Sequence, residues 1–200
     1  MKILQPSAVL ALLLCACAGV PRLTDSWRDP GAKSFESKKM LVLTLSGEES
    51  FRRVAEDEFA RHLPKGSATV SYTLVAASDA NEPKKVLELA RSQGFDSALV
   101  MRVLEVDKLP QQVPAVYSPV YLHFTDQNNN SAFYFPTRFD EGYTYMEKTY
   151  RVETNLYALA DDKLVWSGVA QIRDPGSVRE LAADNAQAVT DELRRQGFLR

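Results

Sequence analysis

Ser97-Ala98-Leu99-Val100-Met101 carries no charge, and after a single Arg102 the apolar run resumes with Val103 and Leu104. A strand apolar on both faces belongs in the middle of a sheet that is covered on both sides. Just ahead of it, Gln93-Gly94-Phe95 reads as a helix stop. Glycine takes the left-handed position after the last turn, and the apolar residue folds back onto it. A chain built around a helix, a stop and a central strand is committed to an α/β fold.

The neighbouring segments extend that unit. Met40 to Leu45 is a second nearly uninterrupted apolar strand. Ser46 with Glu49 three residues on has the capping-box pattern. Phe51, Val54, Ala55, Phe59, His62 and Leu63 then recur at helical spacing, which assigns Arg52, Arg53, Glu56, Asp57 and Arg61 to the outer face. Arg52 with Glu56, and Arg53 with Asp57, would form a solvated ladder of four-apart pairs. Ala68, Val70, Tyr72 and Leu74 alternate with polar residues as a half-buried strand. A helix comes next, with Asn81 as expected cap, Pro83 in the first turn and Val86, Leu87, Leu89 and Ala90 on its apolar face. Strand, helix, strand, helix, strand implies right-handed crossovers and a parallel core of sheet.

From Tyr143 the pattern is a hairpin. Met146, Lys148, Tyr150, Val152, Thr154, Leu156 and Ala158 share one face, Asp161-Asp162 turns, and Leu164, Trp166, Gly168, Ala170 and Ile172 answer. Ser177 with Glu180 repeats the capping box, and the last helix should bury Val178, Leu181, Ala182, Asn185, Ala186 and Val189, with Leu193 beyond. It stops at Gln196-Gly197-Phe198, the device already met at Gly94. The expected fold is therefore one α/β domain of two or three layers with a mixed sheet. The strands at Met40 and Ser97 are central, and the hairpin joins antiparallel on one side.

The amino terminus gives an address. One positive charge, Lys2, precedes an apolar run from Ile3 to Leu14 that is shorter than the roughly 20 residues a spanning helix needs. Leu14-Cys15-Ala16-Cys17 resembles a bacterial lipobox, with leucine three before Cys17 and a small residue one before it. Cys15 fits less well, because Leu14 stands directly before it; an ordinary secreted protein cut near Ala18 is the alternative. The lipobox divides the chain into a signal peptide over 1–16, a lipidated tether and lead-in over 17–38, and the domain over 39–200. Loss of Lys2 makes the mature chain one unit more acidic than the −2 of the whole. With Cys15 gone, no disulfide can form. By resemblance to enterobacterial lipoproteins, Ala18 after Cys17 favours the outer membrane, facing the periplasm. Trp27, in the lead-in, is expected to be a packing anchor.

One stretch resists assignment to the core. From about 109 to 140 the chain is Pro-rich and aromatic, and between Leu109 and Thr137 Asp126 is the only formally charged residue. Charge depletion with aromatic enrichment is the composition of an interface centre. Tyr117, Tyr121, Phe124, Phe133, Tyr134 and Phe135 are the candidate partner-binding residues. Three readings stand: a disordered connection, a hairpin turning at Gln127 to Asn130 that could enter a bilayer, and an ordered aromatic flap on another protein or a second copy.

The order of elements resembles a recurring envelope fold, that of the TolB amino-terminal domain, the curli-secretion lipoprotein and the lipoprotein activators of peptidoglycan synthases. More closely, the chain is similar to a family of bacterial envelope lipoproteins that has no assigned activity. The matching stretches are Ser26-Trp27-Arg28-Asp29-Pro30, Gly94-Phe95-Asp96-Ser97-Ala98-Leu99-Val100, Glu153-Thr154-Asn155-Leu156-Tyr157 and Lys163-Leu164-Val165-Trp166-Ser167-Gly168. The resemblance implies an anchored envelope protein and carries no catalytic residue with it.

Chemistry-bearing motifs are sparse. His62 and His123 are far apart and show no metal-ligand spacing, and no glycine-rich phosphate loop comes after the first strand. Glu48-Glu49 is what a helix dipole favours in a first turn. No catalytic site, metal or cofactor is expected, and the slightly acidic chain with dispersed basic residues argues against nucleic acid. The expected function is a non-catalytic envelope interaction or assembly module, tied to the membrane by its lipid anchor and meeting an envelope protein or a second copy. The alternative is a periplasmic small-ligand domain using the carboxyl ends of the parallel strands, at Ser46-Gly47, Ala76-Ala77-Ser78 and Asp107-Lys108.

Overall fold

A computed structural model describes residues 22–32, 35–76, 78–80, 82–124 and 131–199, with backbone alone for 117–124 and 131–138. Cys17 and the leader lie outside the described residues, as do Asn81 and the turn at 127–130. The elements run β1 (Leu23–Arg28), β2 (Met40–Leu45), α1 (Glu49–His62), β3 (Ala68–Val70), α2 (Pro83–Ser92), β4 (Ser97–Val113), β5 (Val116–Phe124), β6 (Ser131–Asp140), β7 (Tyr143–Ala158), β8 (Lys163–Arg173) and α3 (Val178–Arg195). Six strands form one mixed sheet in the order β1-β8-β7-β4-β2-β3; β5 and β6 form a second, two-stranded sheet. β2 runs parallel to both β3 and β4, and the remaining pairs are antiparallel.

Alternation along the apolar strands divides the interior into two cores, one on each face of the sheet. Met40 and Val42 of β2, with Leu99 and Met101 of β4, face Phe59 of α1 and Leu181, Ala186 and Val189 of α3. Leu41 and Leu43, with Ala98 and Val100, face Val86 and Ala90 of α2. The fold is thus three layers, and the two-faced strand at Ser97 is central as its composition requires.

Both helix stops close as Schellman motifs. After α2 the Gly94 and Phe95 amides donate to the Arg91 and Ala90 carbonyls at 3.0 and 3.1 Å. After α3 the Gly197 and Phe198 amides donate to Arg194 and Leu193 at 3.0 and 2.9 Å. Their glycines have φ of 74° and 81°, the left-handed region that side chains resist. Phe95 and Phe198 are thereby delivered into opposite cores.

Several local expectations are corrected. α1 has no capping box: Glu48 is the N-cap, and Ser46 Oγ accepts from the Glu48 amide at 3.1 Å. At α3 only half the box forms; the Glu180 amide donates to Ser177 Oγ, but its carboxylate accepts from Gly176. Glu82, next to the expected Asn81, caps α2. Val178 is exposed. Trp27 is 48% exposed on the edge strand β1, because Arg28 takes the packing role, with its guanidinium 4.6 Å from the Phe198 ring centre. β1 itself belongs to the sheet, ahead of residue 39.

The largest correction concerns α1. Arg52 and Glu56 are not on a solvated face but fully buried, joined at 3.2 Å. Glu56 accepts from the Thr44 amide of β2, the Ser71 hydroxyl and the Tyr72 amide at 3.0, 2.7 and 3.1 Å. Arg52 donates to Ser71 and to the Val75 carbonyl. These bonds end β3 after Val70: Ser71 to Thr73 turn as a single 3₁₀ turn toward Glu56, and the expected strand through Leu74 does not form. Arg53 pairs with Glu49, while Asp57 accepts from the Tyr72 hydroxyl. Burial pushes the Glu56 carboxyl up, and the hydroxyl, amides and Arg52 offset only part of that.

Candidate interaction surface

β4 and β7 do not stop where the core stops. Beyond Val103 and Val152 the ladder passes a bulge and continues from Glu105 opposite Arg151 to Val113 opposite Tyr143. A bulge adds one residue to one strand and re-aims the chain; here the additional residue is Leu104, itself exposed. β8 stays paired with β7 as far as Thr149 opposite Arg173. From Lys108 opposite Lys148 to Val113 opposite Tyr143 the two strands run on without a third among the described residues, an arm about 20 Å long at roughly 3.3 Å per residue.

Alternation past the bulge assigns the side chains of the β4–β7 ladder to two faces. One carries Val106, Lys108 and Pro110 opposite Tyr150, Lys148 and Met146. The other carries Glu105, Asp107 and Leu109 opposite Arg151, Thr149 and Glu147. Val106, Leu109 and Met146 are exposed, the last two by 56% and 50%. Lys108 and Lys148 stand directly opposite each other, a like-charge pair that weakens a ladder.

At the end of the arm, Gly142 allows a close turn: a Cβ there would lie 2.6 Å from the Val113 carbonyl oxygen and 2.7 Å from the Ala115 nitrogen. β5 and β6 extend beyond it as an antiparallel ladder from Val116 opposite Asp140 to Phe124 opposite Ser131. The candidate residues fall on neighbouring rungs, with Tyr121 opposite Tyr134, Leu122 opposite Phe133 and Val120 opposite Phe135. Tyr117 stands opposite Phe139 and Phe124 ends β5. Pro119 and Pro136 face each other where the register shifts, because neither can donate to the ladder. The stretch from 109 to 140 is therefore the end of β4 plus a hairpin, the geometry of the second of the three readings.

The carboxyl ends of the parallel strands do not converge as expected, since β4 carries Asp107 and Lys108 out along the arm. A cleft of about 390 Å³ does open beside Leu45, the last residue of β2. Pro83, Lys84 and Leu87 of α2, Val100 and Arg102 of β4, and Asn155 and Tyr157 of β7 complete its walls. Arg102 pairs with Glu153 at 2.5 Å. Burial, with the Glu153 charge, pushes the Tyr157 hydroxyl up, so it remains a protonated donor. Asn155 Oδ1 is buried with no hydrogen-bond partner, a condition that costs about 1–3 kcal/mol.

His62 Nδ1 lies 2.8 Å from the Glu58 carbonyl oxygen, a contact internal to α1. Among the described residues no group of three His, Cys, Asp or Glu could hold a metal, and no helix is long and apolar enough to cross a membrane. Sequence reasoning missed Asn155 and the Arg52–Glu56 pair. The helical stripe of Arg52, Ala55, Glu56, Phe59 and Leu63 was the available signal for the latter.

No protein-family model matches the chain, and no curated protein does. Among solved structures it is similar to a variant of PelC from Paraburkholderia phytofirmans, a dodecamer, at 15% identity, over 90% of this chain and 98% of that one, with a TM-score of 0.45. A second PelC dodecamer from the same organism gives 14% identity, 88% and 98% coverage, and 0.42. The lipoprotein GNA1162 from Neisseria meningitidis gives 17% identity, 78% and 98% coverage, and 0.40. At identities this low the likeness speaks to neither partner nor activity.

Proposed function

We propose that the chain is an outer-membrane lipoprotein, anchored through Cys17 and facing the periplasm, that works as a non-catalytic interaction or assembly module. The observation that carries this reading is the arm. Two strands with uncovered apolar side chains gain pairing but no burial, and exposed apolar surface of that kind marks a contact. The arm and its aromatic hairpin, including Tyr117, Tyr121, Phe124, Phe133, Tyr134 and Phe135, meet an envelope protein or a second copy. The anchor rests on Leu14 and Ala16 standing where a lipobox needs them, and the choice of membrane on Ala18.

Val113 and Tyr143 are directly paired. The segment from Pro114 to Gly142 can therefore be replaced by an Asn-Gly hairpin turn without disturbing the sheet. The shortened protein should keep its melting temperature and its membrane fractionation while losing its cross-linked envelope complexes. A shortened protein that keeps every cross-link and its oligomeric state would remove the arm tip from the interface.

A second reading, a small-ligand domain, is favoured by the cleft beside Leu45. Its size suits a small organic molecule, and its walls are mostly apolar with a few polar groups.

A further inference from the structure

Past the bulge the two faces of the β4–β7 ladder are sorted by charge. One carries Glu105, Asp107 and Glu147 with a single cation, Arg151. The other carries Lys108 and Lys148 directly opposite each other and no carboxylate. The acidic face is partly covered, since Thr149 is buried and Glu147 is only 17% exposed beside its ion-pair partner Arg173. On the basic face Val106, Lys108, Pro110, Met146 and Lys148 are all exposed. Asp174, the acid next to that face, meets Lys148 through the backbone, its amide donating to the Lys148 carbonyl. Among the described residues neither lysine makes an ion pair.

The ladder itself gains nothing from the lysine pair. Directly opposed residues have Cβ atoms about 5 Å apart, and like charges there repel, where an opposite-charge pair would hold the rung. The same spacing lets both ammonium groups close on one anion, which turns repulsion into a clamp. Exposed apolar side chains flank the clamp on the same face, Val106 toward the body and Met146 toward the tip. Lysines set among exposed apolar residues suit the headgroup layer of a membrane. Residues 18–22 are all that separates Cys17 from β1, so on the lipid-anchored reading the anion always within reach is a lipid phosphate.

We infer that Lys108 and Lys148 hold the phosphate of an anionic phospholipid in the membrane that carries the anchor. Met146 reaches past the phosphate toward the acyl chains. The inference rests on the lipid-anchored reading and leaves the hairpin beyond Gly142 free for its partner.

The test uses the full chain in phosphatidylcholine nanodiscs with and without phosphatidylglycerol. Wild type, Met146→Cys and Leu109→Cys are treated with a thiol-reactive spin label. Cys15 leaves with the leader and a lipidated Cys17 has no free thiol, so the wild type should take no label. With phosphatidylglycerol present, position 146 should be shielded from a water-soluble nickel complex, while position 109 on the acidic face stays open. Without it both should be open. The phosphatidylglycerol content needed for half shielding should rise roughly fivefold with either Lys108→Gln or Lys148→Gln. Neither variant should melt below the wild type, because each removes a repulsion. Shielding that is equal in both lipids, or that survives loss of both lysines, would mean that apolar contact and not phosphate holds the face. A position 146 open in both lipids would give the face to an acidic protein or to solvent and overturn the inference. Label taken up by the wild type would overturn the lipid-anchored reading, and the inference with it.

Discussion

From Ser97 to Met101 β4 is sealed on both faces, whereas from Leu104 to Pro110 the same strand stands mostly in water. Its ladder to β7 runs through both halves, broken only by the bulge at Leu104. Pairing is therefore not what separates them; cover is. A backbone hydrogen bond nets about 1 kcal/mol. Burying an aliphatic side chain brings a further ~1.5–3 kcal/mol, and only the half between α2 and the α1–α3 layer has it. The two halves also hold two ion pairs of equal length. Arg52 to Glu56, beneath the sealed half, and Arg151 to Glu105, past the bulge, both measure 3.2 Å. The first is fully buried and the second about half exposed.

The largest effect should come from placing the same charge in each half. Val100→Asp puts a carboxylate in the α2-side core and should cost about 3–5 kcal/mol. Leu109→Asp, already 56% exposed, should stay within about 0.5 kcal/mol. Urea unfolding monitored by circular dichroism reads both; equal losses would mean that the arm is covered after all.

The ion pairs offer the next comparison. Arg52→Met strands Glu56 in the interior and should cost about 3 kcal/mol, part of it restored by adding Glu56→Gln, which removes the charge and keeps an acceptor for the Thr44 and Tyr72 amides. Arg151→Met, which breaks the exposed pair, should cost about 0.5 kcal/mol or less. Additive losses in the double variant would show that the buried charges are not coupled.

The smallest effect is in pH. Because the folded Glu56 pKa lies above its ordinary 4.5, the folded state binds the extra proton. Its contribution to stability is full below 4.5 and is lost as pH rises through the raised value. The wild type should therefore lose stability relative to Glu56→Gln as pH rises from 4.5 toward neutrality. A flat difference would mean that the three hydrogen-bond donors and Arg52 cancel the effect of burial.

Legibility in the sequence divides in the same way. The sealed strands announce themselves, since Met40 to Leu45 and Ser97 to Met101 have no polar face, and the Gly94 and Gly197 stops need a conformation that few residues adopt. Arg52 and Glu56 are misplaced when charge is weighed above position on the helix stripe. That they find Ser71, Thr44 and each other is a tertiary fact that no local pattern holds. The failure of β3 past Val70 is a consequence of it. The strand character of 109–140 is hidden by prolines that interrupt alternation, and Asn155 looks like an ordinary polar residue because its lack of a partner exists only once β4 and β8 flank it.

On the lipid-anchored reading, the edge strand gives the molecule a polarity relative to the bilayer. Leu23 pairs with Ala170, and Ala170 with Val152, three rungs before β7 parts from β8 at Thr149. The first residue of β1 thus leaves the sheet at the same end as the arm, about 10 Å to the side at the usual strand spacing. Between Cys17 and Leu23 the chain can reach about 22 Å at most, at ~3.6 Å per residue. On the lipid-anchored reading proposed above, that leash is shorter than the arm and its hairpin together. That reading sets the domain arm-end down, with the hairpin's contact in, on or just above the membrane.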